Sequence, residues 1–154
     1  MPGHPLFDMM GFEAVKVEGG VAQAKVAFSE ALSDNRGALH RGILVTLADT
    51  ACGMATFSSL DEFLPIATVD LRIDYAEPIP PRCGLEAYIE CHHVGEGAAH
   101  SNGVVRVINP EGDADIVVAR IAGIFAINTP GRPVMNVENG GVAWVSTSFP
   151  TSRK

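Results

Sequence analysis

The chain has 154 residues, 47% of them hydrophobic, and a formal net charge of −7. That length suits one domain whose core needs no metal or disulfide, and the hydrophobic content leaves apolar surface to spare for an oligomer interface. No run of Lys or Arg occurs, which excludes nucleic acid as a partner because phosphate binding needs concentrated positive charge.

In chain order, Pro5 to Met10 reads as a short helix. Phe12 to Val17 and Val21 to Phe28 read as strands joined by Glu18-Gly19-Gly20, a hairpin signal. Ser33-Asp34-Asn35-Arg36-Gly37 reads as a loop, and a long helix is expected from about His40 to Ser59. Thr68 to Tyr75 alternates polar and apolar residues, the mark of a half-buried strand, and Pro78, Pro80 and Pro81 end it. Gly84 to Val94, Ala98 to Ile108 and Ile116 to Ile127 give three more strands. Gly-rich or Asn109-Pro110-Glu111-Gly112 turns separate them. Two strands, one long helix and four strands, without βαβ alternation, predict an α+β fold: an antiparallel sheet around a single helix. The domain is expected to span residues 1–128. Residues 129–154, rich in Gly, Pro, Asn and Ser, are expected to be mobile or draped on a neighbouring subunit.

Asp49 is the only charged residue between Gly42 and Leu60. On a helix of 3.6 residues per turn, Ile43, Leu44, Leu47, Ala51, Met54 and Ala55 form one apolar stripe. Asp49 falls opposite, beside Gly42, Val45, Cys52, Gly53 and Thr56. An ordinary amphipathic helix carries Lys, Glu and Gln there. Small residues instead predict that this second face also lies against protein, with Asp49 a buried functional acid. Gly53 supports the same expectation, since mid-helix Gly costs about 1 kcal/mol relative to Ala and marks a close approach. A homodimer covering Gly42, Asp49, Gly53 and Thr56 would meet both demands.

Cys52, Cys83 and Cys91 are odd in number and lack metal-site spacing, which reads as reduced packing thiols in a cytoplasmic protein. His92, His93 and His100 are likewise not spaced as ligands with Cys83 or Cys91, so no metal is expected. The N-terminus lacks the pattern of a signal peptide, and Asp49 argues against a membrane span over Gly42 to Leu60.

The helix entry carries the strongest chemistry. His40-Arg41-Gly42 opens a helix whose first turn offers unpaired N–H groups and a partial positive charge. Such an end binds an anion or stabilises an oxyanion. Asp49 lies nine residues after His40, about 13 Å along the axis, so both cannot act on one atom in a single helix. A shared site between two subunits is expected.

The run His40-Arg41-Gly42-Ile43-Leu44-Val45-Thr46-Leu47-Ala48-Asp49-Thr50-Ala51 resembles the His-Gly-Gly-x-x-x-x-Leu-x-Asp signature of hotdog-fold acyl-CoA thioesterases, in the phenylacetate-pathway (PaaI-like) branch. Thr68 to Tyr75, followed by Pro78, is similar to the family's next strand, and the likeness spans roughly Asn35 to Ile127. The resemblance implies a hotdog fold, a homodimer that pairs further into a dimer of dimers, an acyl-CoA substrate and no bound cofactor. It implies Asp49 as general base or nucleophile, a backbone N–H just after His40 as oxyanion donor, and Thr68 as a hydroxyl that orients water. Two positions depart from the pattern. Arg41 stands where the family has its first Gly, and is expected to grip a CoA phosphate. Asp34 stands where the family has an Asn that contacts the carbonyl or water, with Asn35 one residue away as the substitute. Arg82 is expected to meet the CoA diphosphate, Tyr75 and Gly95 to line the nucleotide cleft, and Gly42 to contact the substrate. If Val69, Leu71 and Ile73 face the helix, Thr68 points away unless the strand bends at its start.

Arg41 and Asp34 also keep open a second reading, a non-catalytic acyl-CoA or acyl carrier protein binding module. A hydratase on the same fold needs Asp and His close together on one segment, a spacing that His40 and Asp49 do not offer.

Overall fold

Alternation of small apolar with polar residues builds the sheet. In the computed structural model, strand β2 (Val21–Val26) buries Ala22, Ala24 and Val26 and turns Gln23 and Lys25 outward. It follows β1 (Phe12–Glu18) through Gly19 and Gly20 at φ 57° and 82°, a two-residue turn whose positive φ values only Gly adopts cheaply. Helix α1 (Pro5–Met10) precedes this hairpin. A 3₁₀ turn (Glu30–Leu32) leads into helix α2 (Arg41–Ser58), which is followed by β3 (Ile66–Tyr75), β4 (Gly84–Val94), β5 (Ala98–Ile108) and β6 (Val117–Ile127). The structure describes residues 4–108 and 116–127, and the backbone of β7 (Val134–Asn136) and β8 (Gly141–Ala143), which pair antiparallel. The expectations for the turn at Asn109 and for the rest of the 129–154 tail lie outside the described residues.

The six long strands form one antiparallel sheet in the order β1-β2-β4-β5-β6-β3. The chain leaves α2, runs to the far edge as β3, and returns to lay β4 beside β2. Helix α2 fills the concave face, burying Leu44, Leu47, Ala48, Ala51, Met54 and Ala55 against Leu85, Ala87, Ile89, Val105 and Val118. This is the α+β arrangement expected from the element order.

One expectation about α2 fails. Thr56 was assigned to the face left for a partner, with Cys52 on the same side of the helix, yet both are fully buried within the chain. The sheet curls around the helix, so the buried arc is wider than a single stripe. Thr56 Oγ1 lies 3.0 Å from Ser101 Oγ of β5, and Gly123 of β6 leaves the room that Cys52 occupies. At half-buried Gly53 a Cβ would meet Phe125 at 3.7 Å and Ile66 at 3.9 Å, ordinary van der Waals contact, so packing within the chain does not require glycine there. The open part of α2 is therefore narrower, comprising exposed Gly42 and Val45 and half-buried Asp49 and Gly53.

Candidate active site

Helix α2 starts on its own side-chain cap. His40 has extended backbone angles, and its Nδ1 accepts from the Gly42 N–H at 3.0 Å. The Ile43 N–H turns to the His40 carbonyl at 2.9 Å. The Arg41 N–H has no acceptor among the described residues, and it sits at the positive end of an 18-residue helix. The Arg41 guanidinium folds over the ring of Tyr75, with Cζ 4.7 Å from the centroid. Both residues are exposed, one at the helix start and the other at the end of β3.

Two turns further on, Asp49 Oδ1 accepts from Thr68 Oγ1 at 2.9 Å. A β-bulge makes this contact possible. Thr68 pairs with Phe125 and Asp70 with Ile124, leaving Val69 as the extra residue. The bulge reverses the alternation, so Thr68 faces the helix together with Leu71 and Ile73, while Val69 is thrown outward, 65% exposed. This is the bend at the strand's start that simple alternation required. Within one chain, the Arg41 N–H and Asp49 are eight residues apart, about 12 Å along the axis.

Neighbouring groups define what Asp49 does and does not touch. Burial first, and the Asp49 carboxylate second, push the Cys52 thiol up to about 12, which keeps it neutral and unreactive. Asp34 turns inward on its own loop. Its carboxylate takes the Arg36 guanidinium at 2.6 and 2.9 Å, the Arg36 N–H at 2.9 Å and the Ala38 N–H at 3.3 Å. The Arg36 side chain and then its N–H hold this acid below the usual carboxylate range. Asn35 sits at the exposed tip of that turn, which the Gly37 N–H closes onto the Asp34 carbonyl at 3.0 Å. No side-chain contact ties Asn35 to Asp49 or Arg41 among the described residues.

The remaining candidates separate. Arg82 adopts φ 60° and donates its N–H to the Gly37 carbonyl at 3.0 Å. It lines a cleft of about 350 Å³ with Lys25, Phe28 and Ile108. Gly95 lines a smaller cleft with Ser59, Asp61 and Glu96, at the opposite end of α2 from Arg41. One chain thus joins His40, Arg41, Gly42 and Tyr75 at the helix start and Asp49 with Thr68 at its middle, and brings Gly95 to neither. The sequence reading missed the Arg41–Tyr75 stack and the Asp34–Arg36 pair. The former was within reach, because the position of Tyr75 follows from the β3 alternation once the bulge is known.

A β4 bulge between Cys91 and His93 brings the rings of His93 and His92 within 5.7 and 6.3 Å of the His100 ring, a clustering that spacing did not reveal. Among the described residues, no three His, Cys, Asp or Glu side chains are arranged to hold a metal ion, and no helix is long and apolar enough to cross a membrane.

Residues 36–107 match the family described as the thioesterase superfamily. An esterase-named protein from Halobacterium salinarum is 28% identical over 124 residues, which cover 77% of this chain and 80% of that protein. Among solved structures, a thioesterase family protein from Silicibacter pomeroyi superposes with a TM-score of 0.73 at 21% identity, covering 80% of this chain and 89% of the other. The PaaI protein of the E. coli phenylacetic acid degradation operon gives a TM-score of 0.67 at 20% identity, covering 81% and 85%. At such identities the superpositions establish the fold.

Proposed function

We propose that this chain, whose residues 36–107 match the thioesterase superfamily and whose hotdog fold is shared with PaaI-named structures, hydrolyses acyl-CoA thioesters to the free acid and CoA. The family and its thioesterase-named neighbours support thioester hydrolysis in general; acyl-CoA is the narrower reading. The observation that carries it is the pairing of Asp49 with Thr68 on a helix whose first N–H finds no acceptor among the described residues.

The Thr68 hydroxyl occupies Asp49 Oδ1 and leaves Oδ2 to act. Asp49 either removes a proton from water as it attacks the acyl carbon, or attacks that carbon itself to form an anhydride that water then opens. In both routes the carbon–sulfur bond breaks, and CoA leaves as a thiolate that takes up a proton. The Gly42 N–H is already used by His40, so stabilising the developing oxyanion falls to the Arg41 N–H and the helix dipole. No metal or cofactor enters these steps.

A separation of about 12 Å between donor and carboxylate in one helix calls for two subunits, each site joining the Arg41 N–H of one to Asp49 of the other. The outer edge of β3, the exposed side chain of Val69 and the open strip of α2 offer the surface for that homodimer. A second pairing into a tetramer and a cytoplasmic location, in keeping with three free thiols, complete the reading. The Asp34–Arg36 pair favours catalysis over binding alone, because it satisfies the acid that would otherwise oppose an oxyanion. CoA release across a panel of acyl-CoAs tests the proposal. Turnover is expected, and a panel left intact by the dimeric wild type would reject hydrolysis.

A further inference from the structure

The mechanism just given leaves the Arg41 side chain without a task. Its guanidinium carbon lies over the Tyr75 ring, and no carboxylate of the described residues pairs with it. A cation–π contact holds the guanidinium in place without a hydrogen-bond acceptor, so its N–H groups stay available for a planar anion. Resting on the thioesterase reading, we infer that Arg41 selects acyl groups that carry a second carboxylate, and that Tyr75 is the residue that positions it.

Reach decides between this and the CoA phosphate that sequence alone suggests. The same residue offers its N–H to the thioester oxygen, and its guanidinium carbon can lie no more than about 7 Å from that nitrogen along the side chain. An extended pantetheine arm puts the diphosphate roughly 15 Å from the sulfur. The guanidinium therefore falls short of the phosphates of the substrate that its own backbone holds. Within its range lie the nearest pantetheine amide, which is neutral, and the first few carbons of the acyl chain. Only the acyl chain can present a carboxylate there, and paired guanidinium–carboxylate hydrogen bonds are about twice as strong as neutral ones. A chain of net charge −7 also repels an extra anion unless a local cation receives it. A terminal carboxylate three or four carbons beyond the thioester fits the reach, so glutaryl-CoA is a suitable probe.

Glutaryl-CoA and pentanoyl-CoA have acyl chains of equal length and differ in a terminal carboxylate against a methyl group. The ratio of their kcat/KM values is the readout. Wild type is expected to favour glutaryl-CoA. Arg41→Gln, which keeps the backbone N–H, is expected to lower the ratio about ten- to a hundredfold. Tyr75→Phe should preserve the ratio because the ring face remains, whereas Tyr75→Leu should lower it; a purely structural Tyr75 would not move the ratio. An equal loss for both esters in Arg41→Gln would assign Arg41 to the pantetheine arm and overturn the inference, as would a wild-type preference for pentanoyl-CoA. If neither ester turns over, the hydrolytic reading falls. Calorimetric affinities of both esters for wild type and Arg41→Gln then decide the selectivity by itself.

Discussion

Helix α2 carries polar groups on two faces, and they live in opposite circumstances. Toward the sheet, Thr56 is fully buried and closes its hydrogen bonding on Ser101. Toward the open strip, Asp49 is half-buried and, among the described residues, takes a single side-chain bond, from Thr68. A buried hydroxyl must be satisfied within the fold because leaving it unpaired is costly. A carboxylate at an unclosed surface keeps one oxygen for chemistry. The contrast teaches that the reactive side of this helix is the one its own sheet does not cover.

Four measurements break or sharpen that contrast, in descending order of effect. On the open face, Asp49→Asn should lower thioester turnover by about two to four orders of magnitude. Its thermal midpoint should hold or rise, because a carboxylate in a partly desolvated site becomes a neutral group of the same shape. Retention of half the activity would remove Asp49 from the mechanism. On the covered side, Gly103→Ala should act on stability. A Cβ there would collide with the Tyr88 carbonyl oxygen and with Ile89, and backbone cannot step aside. A loss of about 1–3 kcal/mol or more is expected in denaturant unfolding, with the activity of the folded fraction kept. An unchanged midpoint would contradict the packing described.

The third measurement concerns the buried hydroxyl pair. Ser101→Ala should cost about 1–3 kcal/mol by stranding Thr56, and adding Thr56→Val should recover most of it. A double variant no better than the single would show that the pair does not act as a unit. The smallest effect is alkaline. The Cys52 thiol has a folded value raised from 9.0 to about 12, so its contribution is complete below 9 and is lost as pH rises toward 12, when only the unfolded chain ionises freely. By pH 10 the wild type should lose about 1 kcal/mol that Cys52→Ala keeps, read from unfolding curves of both at pH 8 and pH 10.

The fold was largely legible because its signals are local. Alternation in β2 through β6, the Gly19-Gly20 turn and the apolar period of α2 each reflect a repeat of two or 3.6 residues. What escaped depends on which strand lies beside which. The assignment of Thr56 to a partner's side failed because nothing local reveals how far the sheet curls, or that Ser101 is there to bond it. Asp49 stood out as a lone acid in an apolar run. Its bond to Thr68 did not, because a one-residue bulge at Val69 decides which way that side chain faces. The Asp34–Arg36 ion pair was equally hidden, since two residues of a tight turn meet only when the turn takes one conformation.

The position of β3 at the sheet's edge has a consequence for dilution. Among the described residues this strand is hydrogen-bonded along one side, to β6, and it carries both Thr68 and Tyr75. If a second copy completes its other side, part of the order around Asp49 is supplied by another molecule and follows mass action. Thermal midpoint and specific activity per chain would then both decline as the protein is diluted through the dissociation constant, with no change in sequence, temperature or buffer.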